Sequence, residues 1–397
     1  MALILAATGP VESGGASAEL GQRVVLPRHL NLYQCPSLQC AVVGSAQRGG
    51  RLDVEVSQVP PAEGAAEWIE LGGPAFAREA QLGPLEPMQP SPPLPEDYRH
   101  GVVRRGGLTV YEKPDLQARH HGLVRAGRDL ALLSGRLTEA PGWLERPAGG
   151  FVQEGRVRLH APSALEGIHS PKGALAFVIR GPHRYDSLPV SDVSAAQVTT
   201  GVGVFSRSEV RLAIPTARPR SIPPGVQWIH VDLEQQVLMA YEGDRPVFAT
   251  LVSTGKPLTP TTPGLFRVYL KSRHDRMHGD GYDVEEVPSI LYFHQGEALH
   301  GAFWHDHFGN AVTHGCVNLS PRDAAWLFAW SLPVLPAGWH SRVTQARDEA
   351  LWIWVTHHAS RPLETAASQE RQPTRRSSSE QVMRRCKWSA CGGASDG

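Results

Sequence analysis

One stretch of the chain occurs twice. "LNLYQCPSLQ" (Leu30 to Gln39) matches "LTVYEKPDLQ" (Leu108 to Gln117) in one register, and Gly44 with Gly122 and Gly49 with Gly127 keep it. Trp68 with Trp143 and Phe76 with Phe151 share a slightly shorter register, so a few positions drop out of a loop between. Two similar modules therefore fill the chain as far as His160. Each carries short β-branched and aromatic runs cut by Gly and Pro, such as "RLDVEV" and "LALLSG", without helical periodicity. That pattern predicts small antiparallel barrels.

At 397 residues the chain is long enough for two to four domains. Lys plus Arg and Asp plus Glu both count 39, so no net charge draws the protein to nucleic acid or to an anionic membrane. No apolar run approaches the roughly 20 residues of a membrane span. The opening "MALILAATGPVESGG" lacks a basic leader and a full apolar centre, so residues 1–20 read as a signal remnant or a disordered start. Five cysteines form two close pairs, Cys35/Cys40 and Cys386/Cys391, plus Cys316 alone. Each pair suits a small disulfide loop in an oxidising compartment or two free thiols.

The rest divides by composition. The first module spans 21–86 and the second 100–160; 161–223 reads as a β segment and a Pro-rich linker ending in "IPTARPRSIPPG". From Arg361 onward the chain is poor in core formers and holds seven basic against four acidic residues, so 361–397 reads as a disordered tail. Between them, 224–360 is the best-ordered part: "WIHVDL", "VLMAY", the turn "EGDRP" and "VFATLVS" predict a hairpin, with strands at "LFRVYLKS" and "SILYFHQ". One helix is expected, "SPRDAAWLFAW", with Ser320 as N-cap, Pro321 at its first position, Asp323 closing an acidic capping box and Pro333 stopping it.

Chemistry concentrates in "ALHGAFWHDHFGNAVTHGCVNLSP", residues 298 to 321, which hold four of the 18 histidines and one cysteine. A thiol near its free pKa of about 8.5 needs an imidazole to take its proton. His314 lies two positions before Cys316, on the same face if the segment is extended. His300 lies well upstream, at the end of an apolar strand, placed to fold back onto the thiol. Gly315 keeps the backbone uncluttered, so an amide can approach an oxyanion. A buried structural thiol is the bland alternative for Cys316. "WHDHFG" also invites zinc, but no HExxH or CxxC accompanies it, and His305 and His307 read better as polar members of a loop over the site.

"LHGAFWHDHFGNAVTHGCVNL" resembles the signature of the L,D-transpeptidase catalytic domain (the YkuD-like family): a His, a spacer of a dozen or more residues, then Ser or Thr, His, Gly, Cys, an apolar residue and Asn or Arg. Thr313, His314, Gly315, Cys316, Val317 and Asn318 fill the second half and His300 the first. The similarity runs from Pro224 to His357, with one departure: Pro263 and Gly264 are adjacent where the family has a residue between them. The N-terminal repeats similarly resemble bacterial SH3-like modules, in which Tyr33, Tyr111, Trp68 and Trp143 would fill two small cores or, less simply, line a wall-binding groove.

The resemblance implies a mainly β chain: two SH3-like barrels, then a β-rich catalytic domain with a short helix after the cysteine. It makes Cys316 the nucleophile and His300 the general base, held in its tautomer by the carbonyl of Gly301. His314 would steady the thiolate or oxyanion, amides around Gly315 and Cys316 would form the oxyanion hole, and Trp304, Thr313, Asn318 and Tyr292 would contact substrate. The implied reaction is acyl transfer on peptidoglycan stem peptides, as donor and acceptor, through a thioester that releases D-Ala, with no metal or other cofactor. Carbapenem-type β-lactams would be covalent inhibitors, and the substrate places the protein in the periplasm or cell wall. A catalytically silent wall-binding protein and an L,D-carboxypeptidase using water are the alternatives.

Overall fold

Apolar runs too short for helices become strands, and one helix stands among them. A computed structural model of the protein describes residues 20–357 apart from 56–67, 73–74, 85–97, 126–128, 134–139, 147–148, 162, 280–281 and 347–348. The expectations for 1–19, for the tail from 361 and for Cys386 and Cys391 lie outside the described residues. The fold is mainly β, and no helix among the described residues is long and apolar enough to cross a membrane.

A six-stranded sheet forms the centre, in the order Ile168–His169, Arg245–Leu251, Val237–Glu242, Gln227–Asp232, Trp352–Thr356, Gly264–Arg267. The expected hairpin is its middle, closed by Glu242 opposite Arg245. Both faces of this sheet are buried, which is why "VLMAY" is apolar at every position instead of alternating. Ile229, Val231, Leu238 and Ala240 point to a core shared with the helix, whereas Trp228, Met239 and Tyr241 point to a second core with Phe177, Ile179 and Phe308. The cross-strand pair Trp228 and Tyr241 stacks at 4.0 Å between ring centres. Covering that second face is a five-stranded antiparallel sheet built from residues 175–213, in the segment where the sequence suggested a β stretch and a linker.

The helix, Pro321–Trp330, starts as its capping signal requires: Ser320 Oγ accepts from the Asp323 amide at 3.2 Å. The other half of the expected box does not form. Asp323 instead accepts from Thr250 Oγ1 (2.6 Å) and the Gly167 amide (2.9 Å), so its buried carboxyl ties the helix to the central sheet.

The repeat is realised strand by strand. Tyr33 pairs in register with Phe76, and Tyr111 with Phe151, as the sequence match demands. Tyr33 meets Trp68 edge-on at 5.5 Å, and Tyr111 meets Trp143 edge-on at 5.1 Å. These aromatics are half-buried at the border of cores made from aliphatic residues, Leu30, Leu32 and Leu52 in the first repeat and Leu108, Leu144 and Val152 in the second. Cys35 and Cys40 form a disulfide within the first repeat.

Both repeats join a long hairpin, Leu270–Gly279 with Tyr282–His294, that also borders the site. The first does so through Trp339–Val343, which pairs with Leu270–Ser272 on one side and with Val42–Gln47 on the other. The second does so through a parallel bridge between Asp129 and Val284 and through Arg146, which makes a bidentate contact with Glu285 at 2.9 and 3.0 Å. That ion pair is largely buried, where loss of one partner strands the other.

Close approach at the first junction leaves no room for a side chain on Gly44. A Cβ there would lie 2.5 Å from the Ser341 carbonyl and 2.6 Å from the Trp339 ring. Gly44→Ala is therefore expected to cost ~1–3 kcal/mol. Thermal unfolding of the full chain measures this; an unchanged midpoint would show that the junction does not contribute to stability.

Candidate active site

Glu297–Gly301 runs parallel to Val317–Leu319, with Leu299 opposite Val317, His300 opposite Asn318 and Gly301 opposite Leu319. Alternation along each strand then puts His300, Asn318 and, two residues before it, Cys316 on one face. All three line one cavity of about 880 Å³, together with Trp304, Thr313 and His314. The long sequence separation of His300 and Cys316 is closed by a single strand pairing.

His300 is 2% exposed. Its Nδ1–H donates to the Gly301 carbonyl at 3.2 Å, which leaves Nε2 as the basic nitrogen. Trp304 stacks beside the imidazole at 5.7 Å between ring centres. Burial pushes the His300 pKa down to about 4, partly opposed by the Gly301 contact, so the ring is neutral at pH 7. Cys316 is the free cysteine among the described residues and keeps part of its surface open at the cavity floor. The protein packed around its sulfur pushes the thiol up to about 11, against the lowering effect of a backbone contact at Ala298 and with a smaller upward push from Glu297. The resting pair is thiol and imidazole.

The turn between His314 and Cys316 is not extended. Gly315 has φ +126°, a conformation that disfavours any side chain, though His314 and Cys316 still line the same cavity. His314 is exposed, its Nε2 accepts from Lys256 Nζ at 3.3 Å, and its ring stacks on Tyr282 at 5.1 Å. Thr313 holds the turn: its Oγ1 donates to the Cys316 carbonyl at 2.7 Å and accepts from the Gly315 amide at 3.2 Å. The Gly315 amide is thereby occupied. Thr261 Oγ1 donates to the Gly315 carbonyl at 2.7 Å and fixes the turn from the other side.

The loop bearing Trp304 and His305 is anchored through Asp306, whose carboxylate accepts from Ser163 Oγ at 2.5 Å and lies 3.0 Å from Tyr185 Oη. His305 meets the Asn318 side-chain amide at 2.9 Å through Nε2 and receives the His307 amide at Nδ1. Burial, then neighbouring His307, pushes its pKa down to about 4. Tyr292 does not line the cavity; it packs beside Cys316 and its hydroxyl lies 3.3 Å from Asp275. Burial and that carboxylate raise its pKa.

Several residues of the site escaped the sequence reading. Glu297 accepts from Thr262 Oγ1 at 2.8 Å and borders Gly315, a role that its place three residues before His300 could have suggested. Tyr282, Asp283 and Arg276 come from the long hairpin, and Leu123 and Arg125 from the second repeat. No local pattern marks these.

Residues 226–338 match the family model of the L,D-transpeptidase catalytic domain, YkuD. Among solved structures, the chain is similar to the L,D-transpeptidase of Stackebrandtia nassauensis (26% identity, 33% of this chain and 55% of that one, TM-score 0.26). It is also similar to the catalytic domain of the E. faecium L,D-transpeptidase (25%, 33% and 98%, TM-score 0.27). A third is an L,D-transpeptidase solved with imipenem (17%, 49% and 95%, TM-score 0.27). The chain thus spans little more than half the length of the first of these. No curated protein matches it.

The buried histidines set an acid limit on stability. His300 and His305 have folded pKa values near 4, and burial lowers His100 and His340 to about 3, all below the ordinary 6.5. Between those values the unfolded chain binds more protons, so stability present above pH 6.5 is lost as pH falls through about 4. Denaturant midpoints are expected to drop steadily from pH 7 to pH 4; a flat profile over that window would contradict neutral buried imidazoles.

Proposed function

We propose that the protein is a cysteine acyltransferase of peptidoglycan stem peptides, an L,D-transpeptidase. The observation that carries this is the His300 imidazole, oriented by Gly301 and facing the same cavity as Cys316 within a segment that matches the family.

Cys316 Sγ attacks the carbonyl of the bond between the third residue of a stem and its terminal D-Ala, while its proton passes to His300 Nε2. Because thiol and imidazole are both neutral at rest, transfer accompanies bond formation instead of preceding it. The oxyanion is held by the Cys316 amide. As the tetrahedral intermediate collapses, the C–N bond breaks and His300 returns the proton to the departing D-Ala amine. An acceptor amine then attacks the thioester, gives its proton to His300, and the thiol leaves as the new amide forms. Water in place of the amine gives the carboxypeptidase outcome.

Thr313 organises the nucleophile's turn, Asn318 and His305 shape the opposite wall, Trp304 flanks the base, and His314 lies at the rim where it can meet substrate. The two repeats serve as SH3-like modules. The substrate locates the protein outside the cytoplasmic membrane, and a carbapenem would acylate Cys316.

Incubation with a tetrapeptide stem tests this by mass spectrometry. Cys316→Ala is expected to abolish D-Ala release and His300→Ala to slow acylation by about 10²- to 10⁴-fold, with His314→Ala the milder loss. D-Ala release that persists in Cys316→Ala would end the proposal.

A further inference from the structure

We propose that Arg125, a residue of the second repeat, is a substrate-binding group that recognises a carboxylate of the peptide held at Cys316, so that the repeat completes the active site. This rests on the acyl-transfer reading above for the identity of the peptide, though not for the contact itself.

The cavity wall opposite the catalytic strands is not built by the catalytic domain alone. Leu123 and Arg125, at the end of the second repeat's strand His120–Val124, line it alongside the hairpin residues Arg276 and Asp283. Leu123 is 69% exposed, an open apolar side chain beside a peptide-sized cavity. The repeat is held in place there by three contacts: the Asp129–Val284 bridge, the Arg146–Glu285 ion pair, and the His100 ring stacked on Phe303, the residue next to Trp304.

Charge decides what the cavity takes. Three of its described lining residues are formally charged at pH 7: Arg125, Arg276 and Asp283. Arg276 is held by Asp283 in a bidentate pair, Nε to Oδ1 at 2.7 Å and Nη2 to Oδ2 at 2.8 Å, so those two charges cancel. The neutral Cys316 thiol and the neutral imidazoles of His300 and His305 add nothing. Arg125 makes no hydrogen bond or ion pair among the described residues, and its planar fork fits a carboxylate in bidentate fashion. Among the described lining residues this leaves one formal positive charge, on a side chain far ahead of the nucleophile in sequence. Stem peptides are rich in carboxylates, on the donor and on the acceptor strand alike.

Alkylation of Cys316 tests the contact without needing turnover. Iodoacetate and iodoacetamide react with the same sulfur and differ in one carboxylate. Arg125→Ala is expected to lower the iodoacetate to iodoacetamide rate ratio by about tenfold, leaving the iodoacetamide rate unchanged, with Arg125→Lys retaining part of the ratio. High salt should shrink the wild-type ratio, because the guanidinium is exposed. An unchanged ratio in Arg125→Ala overturns the proposal. Peptide kinetics then identify the source: a raised KM for a tetrapeptide donor without an amine assigns the carboxylate to the donor, and a raised KM for the acceptor alone assigns it to the acceptor. If wild-type protein releases no D-Ala while the ratio still falls, the functional reading fails and the anion contact stands.

Discussion

A parallel pairing of two short strands holds the site together. His300 and Cys316 are too far apart in sequence to meet as neighbours, and the loop between carries three more histidines. The ladder between Glu297–Gly301 and Val317–Leu319 closes that distance and, through strand alternation, turns His300, Cys316 and Asn318 toward one cavity. A slip of one position would aim them at the apolar core that Leu299, Val317 and Leu319 now fill. Burial of those three aliphatics is what specifies the register.

Around that ladder much of the structure serves positioning. Asp323 joins helix to sheet, Asp306 ties the Trp304 loop to Ser163 and to Tyr185 beside the five-stranded layer, and the threonines at 261 and 313 clamp the turn that presents the sulfur. The same burial that orders the pair makes it electrically quiet. An imidazole near pKa 4 and a thiol near 11 do not form a standing ion pair.

Much of this is legible in the sequence, and the reasons differ by element. The helix is visible because capping is a local hydrogen-bond problem with a local answer, Ser320 to the Asp323 amide. Its second half misleads because Asp323 has stronger partners elsewhere, Thr250 and Gly167, residues that no window around the helix contains. The repeat predicts paired strands, and Tyr33 with Phe76 matches Tyr111 with Phe151. Its aromatics sit at the rim of aliphatic cores instead of filling them. Extended geometry fails for the segment from His314 to Cys316, where Gly315 takes a positive φ and His314 meets Lys256 and Tyr282 at the cavity it shares with Cys316. Tyr292, expected at the substrate, is not among the residues that line the cavity, and its hydroxyl lies 3.3 Å from Asp275.

By itself the sequence determined the chemistry that depends on residue type and short spacing: a thiol, a glycine that lets its turn form, a histidine upstream, two like modules and one capped helix. Tertiary structure alone decided which charges meet and which stay apart. The pairing of Arg276 with Asp283, the burial that silences His300, and the arrival of Arg125 at the same cavity all follow from sheet edges that join across the chain. Those edges pair through backbone groups that every residue possesses, and so they leave almost no mark on the order of side chains.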